Sequence, residues 1–185
     1  AEHPGTHLMG NIAFPGDNKI GVLKCAGIYG ANASGKSNFL LAFRALQHII
    51  CSTDDLKEGD QISCYEPYLL SEDNKSAPVC FEIEFFTPDY TRYRYEVSFT
   101  KDKIIQEKLD YYPSAKPASI FSRAPGDTWE TIKFGTLYKG GKKRHSLFEN
   151  NAYISVAGNS ADAPELIRSV YNYFRKEIFF LGVKT

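Results

Sequence analysis

The chain has 185 residues, 43% of them hydrophobic, and equal numbers of acidic and basic side chains, so its formal net charge is zero. This length and composition support one domain with a hydrophobic core, or one domain plus a small lobe, and exclude a chain that is disordered throughout. Zero net charge excludes a global field that would attract nucleic acid or membranes.

The N-terminal segment shows little periodicity. Residues 1–16 are rich in Gly, Pro, His and Asn and predict an irregular lead-in. The chain begins with Ala1 and its one methionine is Met9, so we expect a piece cut from a longer protein. The segment lacks the apolar centre of a signal peptide, and no stretch is apolar enough to span a bilayer. The sequence therefore predicts no membrane attachment.

A phosphate-binding motif follows this lead-in. Residues 30–37 read G-A-N-A-S-G-K-S, which fits the pattern G-x-x-x-x-G-K-[ST] at every fixed position. Residues 22–29 form a short, mostly apolar run that predicts a buried strand, and residues 37–50 predict a helix. A strand, a glycine-rich loop and a helix form the context in which this pattern binds a nucleotide.

Each fixed position of the motif has a physical role. Gly30 and Gly35 permit backbone angles that other residues avoid. The loop can then turn successive N–H groups toward a phosphate. The positive end of the following helix lies beside the same phosphate. We expect Lys36 to reach the β- and γ-phosphates and the Ser37 hydroxyl to ligate Mg²⁺. The predicted nucleotide-binding residues are Gly30, Asn32, Ala33, Ser34, Gly35, Lys36, Ser37 and Asn38.

The helix after the loop is predicted to be amphipathic. Its apolar residues recur at spacings of three and four, which places them on one face and predicts a core contact. These residues are Phe39, Leu40, Phe43, Leu46, Ile49 and Ile50.

The four cysteines are widely spaced and form no metal-binding pattern. Because the nucleotide motif indicates a cytoplasmic protein, we expect Cys25, Cys51, Cys64 and Cys80 to be thiols. Cys25, on the strand before the loop, is predicted to be a small buried residue.

The middle of the chain is predicted to be an antiparallel β-lobe. Residues 79–86 and 92–99 alternate apolar and charged side chains around a turn, which indicates a hairpin. If Phe85 faces Tyr93, then Glu84 faces Arg94 on the other side of the sheet. Period-two spacing near arginines therefore favours a solvated sheet face over an acid–base pair for Glu82 and Glu84.

The lobe is predicted to continue with strands at residues 103–112, 118–123 and 129–134, the last two around a turn at residues 124–127. Residues 140–145 are the densest basic cluster. They could bind a phosphate backbone, but without interleaved aromatic residues a charged turn is the favoured interpretation. Residues 162–174 predict a helix capped by Asp162, and residues 177–181 predict a strand.

The sequence of residues 28–38, around the loop, is I-Y-G-A-N-A-S-G-K-S-N. It resembles the Walker A segment of AAA-type ATPases of the bacterial abortive-infection group. These ATPases are relatives of the SMC, RecF and ABC heads. Residues 2–5, 78–86, 93–95 and 101–112 are also similar to the N-terminal half of that family, so the resemblance covers most of the chain.

This resemblance implies an α/β fold: a P-loop NTPase of the ABC-like class, with strand, P-loop and helix followed by an antiparallel β-lobe and a C-terminal helix. The corresponding units are a P-loop lobe at 1–61, a β-lobe at 62–145 and a return helix and strand at 146–185, within one truncated head. It also implies ATP and Mg²⁺ as ligands, a homodimer through the head, and an effector such as a nuclease or toxin subunit in anti-phage defence.

The sequence departs from the family pattern in three respects. Family members begin with a strand before residues like these, and that strand is absent here. The Walker B run, the signature segment and the catalytic glutamate are expected beyond Thr185, so hydrolysis belongs to the full-length protein and no catalytic residue is assigned in this chain. Asn159 stands near the place of a family glutamine, which makes it a weak candidate for the γ-phosphate and metal site.

Two other functions remain open at the level of sequence. A DNA-repair or chromosome-associated head shares the fold, and DNA is then a partner. A small-molecule P-loop kinase also uses strand, loop and helix, but the antiparallel middle of this chain argues against the parallel sheet that such a kinase needs.

Overall fold

The computed structural model describes residues 10–17, 19–68, 74–136, 138 and 144–181. Most of the predicted lead-in and Lys142 and Lys143 of the basic cluster lie outside these ranges. None of the helices in the described ranges has the length and apolar character needed to cross a bilayer.

The elements follow one another in a simple order. The strands are β1 (Ile12–Ala13), β2 (Val22–Leu23), β3 (Val79–Phe86), β4 (Arg92–Phe99), β5 (Ile104–Tyr111), β6 (Ala118–Arg123) and β7 (Lys133–Phe134). The helices are α1 (Lys36–Ser52), α2 (Tyr153–Gly158) and α3 (Glu165–Asn172), with 3₁₀ turns at Pro15–Asp17 and Thr53–Asp55 and a π-helical turn at Tyr173–Glu177.

The main sheet is an antiparallel meander in the order β3-β4-β5-β6-β7, which leaves β3 and β7 at its edges. The predicted hairpin is confirmed with its register: Phe85 lies opposite Tyr93, Ile83 opposite Tyr95 and Phe81 opposite Val97. The alternating pattern specifies this register because a slip of one residue would move every apolar side chain to the wrong face.

The charged face of the hairpin is solvated, as predicted. Glu84 lies opposite Arg94 in the ladder, but the side chains pair diagonally. Arg92 binds Glu84, and Arg94 Nη2 lies 2.9 Å from Glu82 Oε1. The hydrogen bond from Arg92 holds the pKa of Glu84 below its usual value.

The core lies between the apolar face of this sheet and the helices. Tyr93, Tyr95 and Phe99 of β4 are fully buried, and the ring of Phe85 stacks on Tyr93 at 5.7 Å between centroids. The helices contribute Leu46, Ile49 and Ile50 from α1, Ile154 and Ala157 from α2, and Ile167, Val170 and Phe174 from α3 and the turn after it.

The apolar stripe of α1 is only partly buried. Leu46, Ile49 and Ile50 lie in the core, as predicted, but Phe39 and Leu40 are 50% and 57% exposed. The C-terminal half of α1 is covered by α2 and by the 3₁₀ and π-helical turns, which α1 contacts. The prediction of a core contact is wrong for Phe39 and Leu40.

A buried carboxylate joins the sheet to α2. Glu107 on β5 is fully buried and accepts hydrogen bonds from the backbone N–H groups of Tyr153 and Ile154, at 2.6 and 3.0 Å, and from the Tyr95 hydroxyl at 3.0 Å. Burial raises the pKa of Glu107, and the N–H donors and nearby Arg123 oppose that shift. Because every hydrogen-bonding neighbour donates, the ionised carboxylate satisfies them best.

A second set of buried hydrogen bonds attaches the C-terminal end of α1 to the start of α2. Asn151 donates to the carbonyls of Thr53 and Leu56, and the Thr53 hydroxyl accepts from the backbone N–H of Ala152 at 3.0 Å. The side chains of Asn151 and Thr53 are both buried. The C-terminal end of α1 is thereby fixed to the start of α2.

Three predicted boundaries are wrong. Of residues 129–134 only Lys133–Phe134 is a strand, because Thr131 turns back to accept from Thr128 N–H and donate to Asp127. Residues 177–181 form no strand, since the π-helical turn extends to Glu177. Pro164, not Asp162, precedes α3, and Asp162 accepts from the Ser160 hydroxyl instead.

Glu107→Gln tests the joint between the sheet and α2. Glutamine keeps the size of the side chain but has one oxygen, so its NH₂ group would face one of the buried donors. We expect the free energy of unfolding to fall by about 3 kcal/mol in urea titrations followed by circular dichroism.

Glu82→Gln, on the solvated face, is the matched control and should change the free energy of unfolding by less than about 0.5 kcal/mol. Equal small losses in the two variants would contradict the role given to Glu107.

Candidate nucleotide site

The segment that enters the phosphate-binding loop differs from its prediction. Only Val22–Leu23 is a strand, and it pairs with the short β1. Residues 22–29 are all exposed, including Ile28 at 52% and Tyr29 at 95%. The prediction of a buried strand is wrong because no parallel strand lies beside residues 24–29 in the described structure.

Asn11 fixes this segment instead. Its Nδ2 donates to the carbonyl oxygen of Cys25 at 2.7 Å, and its Oδ1 accepts from the backbone N–H of Cys25 at 3.0 Å. The Lys24 N–H adds a bond to the Asn11 carbonyl. Cys25 is exposed, which corrects its predicted burial, and all four cysteines are free thiols. The lead-in sequence offered no periodic signal that would have identified Asn11.

The loop at residues 30–37 turns back on itself. Ala33 and Gly35 have positive φ angles of 61° and 86°, and the Ser34 N–H bonds to the Ala31 carbonyl at 3.3 Å. A Cβ on Gly30 would lie 2.6 Å from Ser34 Oγ, so glycine permits this close approach. Alternating right- and left-handed backbone angles of this kind turn N–H groups toward one side and form an anion nest.

Lys36 lies against the inside of this loop. Its Nζ donates to the carbonyl oxygens of Gly30 at 2.8 Å and Ala31 at 2.6 Å, with Ser34 Oγ at 3.4 Å. Lys36 is half-buried, whereas the other residues of 31–38 are exposed. The loop alone therefore fixes the position of the Lys36 ammonium group.

The start of α1 adds further donors. No side chain caps its N-terminus, and its first turn contains no acidic residue. Gly35 begins the helix by accepting from the Phe39 N–H at 3.3 Å. A helix of this length presents uncapped N–H groups and a partial positive charge at its first turn, which favours an anion.

These groups fit a nucleotide with Mg²⁺. Asn32, Ala33 and Ser34 of the loop and Ser37 and Asn38 at the start of α1 are all exposed and open to a ligand. Among the described residues, no group of three or more His, Cys, Asp or Glu side chains could hold a metal ion. Mg²⁺ needs no such cage, because it commonly takes one or two protein ligands together with phosphate oxygens. The exposed Ser37 hydroxyl could supply one such ligand.

Asn159 does not lie at this loop. Its Nδ2 donates to Asp54 Oδ2 at 2.6 Å, and Asp54 follows the C-terminal end of α1. Since α1 has 17 residues, about 25 Å separates that end from Lys36. The structure therefore does not bring Asn159 together with the loop of the same chain, and the predicted contact with the γ-phosphate or metal ion has no geometric support.

The described part of the basic cluster has a structural role. Arg144 Nη2 donates to the Ile132 carbonyl at 3.2 Å, and its guanidinium lies 5.6 Å from the centroid of the Phe134 ring. Arg144 thus packs against the loop before β7 and β7 itself. Residues 140–143, which carry both lysines of the cluster, lie outside the described residues.

Comparison with known proteins gives one family. The family model described as "AAA domain, putative AbiEii toxin, Type IV TA system" matches residues 25–169, more than three quarters of the chain and including the whole phosphate-binding loop. Comparisons with curated proteins and with solved structures gave no match. The matched length, the P-loop and the α/β architecture with its five-stranded antiparallel sheet and following helices show that the chain belongs to this AAA-type ATPase family of the abortive-infection group.

Proposed function

We propose that the chain binds ATP with Mg²⁺ through residues 30–38, as the nucleotide-binding part of an ATPase head. The observation that carries this proposal is the position of the Lys36 ammonium, within 3 Å of two carbonyls of the loop and at the uncapped start of α1. The preference for adenine rests on membership in an ATPase family.

Local charge supports the same proposal. The chain as a whole is neutral, but residues 18–53 contain Lys19, Lys24, Lys36 and Arg44 and no aspartate or glutamate. An uninterrupted positive segment around the loop attracts a polyanion and excludes competing carboxylates from Lys36. In the bound state, Lys36 and the backbone N–H groups would compensate phosphate charge, and Ser37 would contribute one oxygen ligand to the metal ion.

The residues of the loop bind and orient the phosphates. Bound Mg²⁺ would neutralise charge that develops on the phosphate oxygens during hydrolysis. A general base for the attacking water is commonly a carboxylate, and residues 18–53 contain no carboxylate side chain. We therefore propose hydrolysis as a property of the assembled full-length ATPase, with this chain as its nucleotide-binding part.

We further propose that nucleotide binding controls a homodimer of heads, in a cytoplasmic anti-phage system coupled to a toxin or nuclease subunit. The family description supplies the toxin–antitoxin context. Exposed apolar side chains beside the loop support an interface there: Tyr29, Phe39, Leu40 and Leu41. Large exposed apolar patches on folded proteins commonly mark contact surfaces. In this proposal the P-loop lobe (1–61), the β-lobe (62–145) and the return segment (146–185) form one head.

The sheet disfavours a small-molecule kinase, because the strands that follow α1 form an antiparallel meander. A chromosome-associated head shares every feature named above except the family context, so association with DNA is the second candidate. Binding of duplex DNA that depends on ATP would favour it.

Lys36→Ala tests the nucleotide site. Loss of a charge-assisted contact to phosphate should weaken ATP binding roughly 10- to 100-fold, measured by calorimetric titration. Lys24→Ala is the matched control, because Lys24 also donates to a backbone carbonyl of the same lobe, that of Gly10 at 3.0 Å. Equal ATP affinity in wild type and Lys36→Ala would disprove the proposed site.

Gly35→Ala separates backbone strain from binding. Gly35 and Gly126 have nearly equal φ angles of 86° and 85°, and a Cβ added to either glycine would meet no atom within 4 Å. Each alanine variant should lose about 1 kcal/mol of stability, since left-handed angles strain residues with a Cβ. Only Gly35→Ala should also weaken ATP binding; an equal effect of Gly126→Ala on binding would contradict the proposal.

Sedimentation velocity tests the nucleotide-dependent dimer. A non-hydrolysable ATP analogue with Mg²⁺ should convert the wild-type chain from monomer to dimer and leave Lys36→Ala monomeric. If wild type binds the analogue in the titration but its sedimentation is unchanged, the dimer is excluded while the binding site stands.

A further inference from the structure

A second concave site lies at the other end of α1 from the phosphate-binding loop. It is a cavity of about 730 Å³, within the size range of ligand-binding pockets. Four loops contribute to it, around Glu58, Asp102, Trp129 and Glu149. Glu58 follows the C-terminal end of α1, so about 25 Å of helix separates this cavity from Lys36.

The charges at this cavity are mostly negative. Glu58, Asp102, Glu130 and Glu149 are exposed at its rim, and within the described ranges none of the four forms an ion pair or a hydrogen bond through its side chain. Lys103 is the exposed cation beside them. Four free carboxylates and one lysine give a local net charge of about −3 on a chain whose total charge is zero.

Other lining residues are structural and define a floor. Arg123 is buried and donates to the carbonyls of Asn151 at 3.0 Å and Asp127 at 3.4 Å. The Asp127 carboxylate accepts from the Ala124 N–H at 2.7 Å and the Thr131 hydroxyl at 2.9 Å. The floor is therefore preformed, because these polar groups are already bonded within the fold.

One buried polar group of the lining lacks a partner. Asn150 is 3% exposed, and its Nδ2 donates to the carbonyls of Lys57 at 2.7 Å and Asp60 at 3.0 Å. Those two bonds fix the orientation of the amide and leave Oδ1 without a hydrogen bond to any described residue. A buried acceptor without a donor is unfavourable, and this one belongs to a residue that lines the cavity.

The arrangement of the carboxylates excludes one class of ligand. Among the described residues they do not converge into a group that could hold a metal ion. Separated carboxylates instead match a ligand with several separated cations. Trp129 is half-buried in the wall, and an indole ring attracts guanidinium more strongly than other ring side chains do. Guanidinium groups also bind carboxylates with paired hydrogen bonds.

We propose that this cavity binds an arginine-bearing peptide segment of a partner protein. The arginines pair with the rim carboxylates, and one of them stacks on Trp129. The proposal does not depend on nucleotide binding, because it uses no residue of the loop.

Trp129 provides the measurement, since it is the one tryptophan of the chain. We expect a short synthetic peptide of alternating arginine and glycine to cause a saturable change in Trp129 fluorescence. In Glu130→Gln with Glu149→Gln, the affinity should fall about tenfold, as expected for the loss of two partly exposed charge pairs. Both side chains are exposed, so the fold should be retained, and circular dichroism verifies this.

Glu82→Gln with Glu96→Gln is the control, because it removes the same charge from the solvated face of the hairpin. Unchanged affinity in this control and in Lys36→Ala supports a site at the cavity. Equal weakening in both double variants would show attraction to overall charge and overturn the proposal. No saturable change, or spermidine binding as tightly as the peptide, would also overturn it, the latter in favour of a polyamine site.

Discussion

The structure depends on one cluster of buried hydrogen bonds that links the sheet to α1 and α2, called the joint below. Glu107 on β5 accepts from the first N–H groups of α2 and from Tyr95, while Asn151 and Thr53 attach the end of α1 to the same point. Buried carboxylates and amides of this kind are stable only when every donor and acceptor is matched. The sheet, α1 and α2 therefore have one relative position in which the joint is satisfied, and the apolar side chains fill the space that this position leaves.

This joint has a consequence for the phosphate-binding loop. The C-terminal end of α1 is fixed in the core, and its N-terminal turns extend from the core with exposed Phe39 and Leu40. The loop therefore lies at the exposed N-terminal end of α1, whereas the C-terminal end of α1 is fixed to the core. Few side chains of the first two turns of α1 are buried against the rest of the described structure.

The parts of the structure that the sequence predicted are those with a local signal. The hairpin of β3 and β4 was predicted with its register because period-two alternation and a turn cluster act within 21 residues, from Val79 to Phe99. The loop motif and α1 were likewise predicted from short patterns. Glu107, by contrast, is one acidic residue in a strand of both polar and apolar side chains. It accepts from an N–H group of α2 that lies 46 residues later, and nothing near Glu107 in the sequence indicates this contact.

Some predictions of burial assumed a packing partner. They were wrong where the described structure contains no such partner. Residues 22–29 and the first turns of α1 have the composition of a core, but burial is a property of what packs against them. Asn159 was placed by analogy with a family position, and its partner Asp54 could not be inferred from spacing. The site residues of the loop follow from the motif, whereas the bonds that fix them, such as those of Asn11 with Cys25, follow only from the fold.

The position of β3 at the edge of the sheet affects how copies of the protein can meet. Within the described residues, β3 pairs with β4 alone, and an eight-residue edge strand of this kind can add a strand from a second molecule. Here Glu82 and Glu84 alternate along that edge, and an identical strand pairing with it would bring like charges together. The same glutamates that pair with arginines of β4 thus disfavour extension of the sheet by a second copy of this strand.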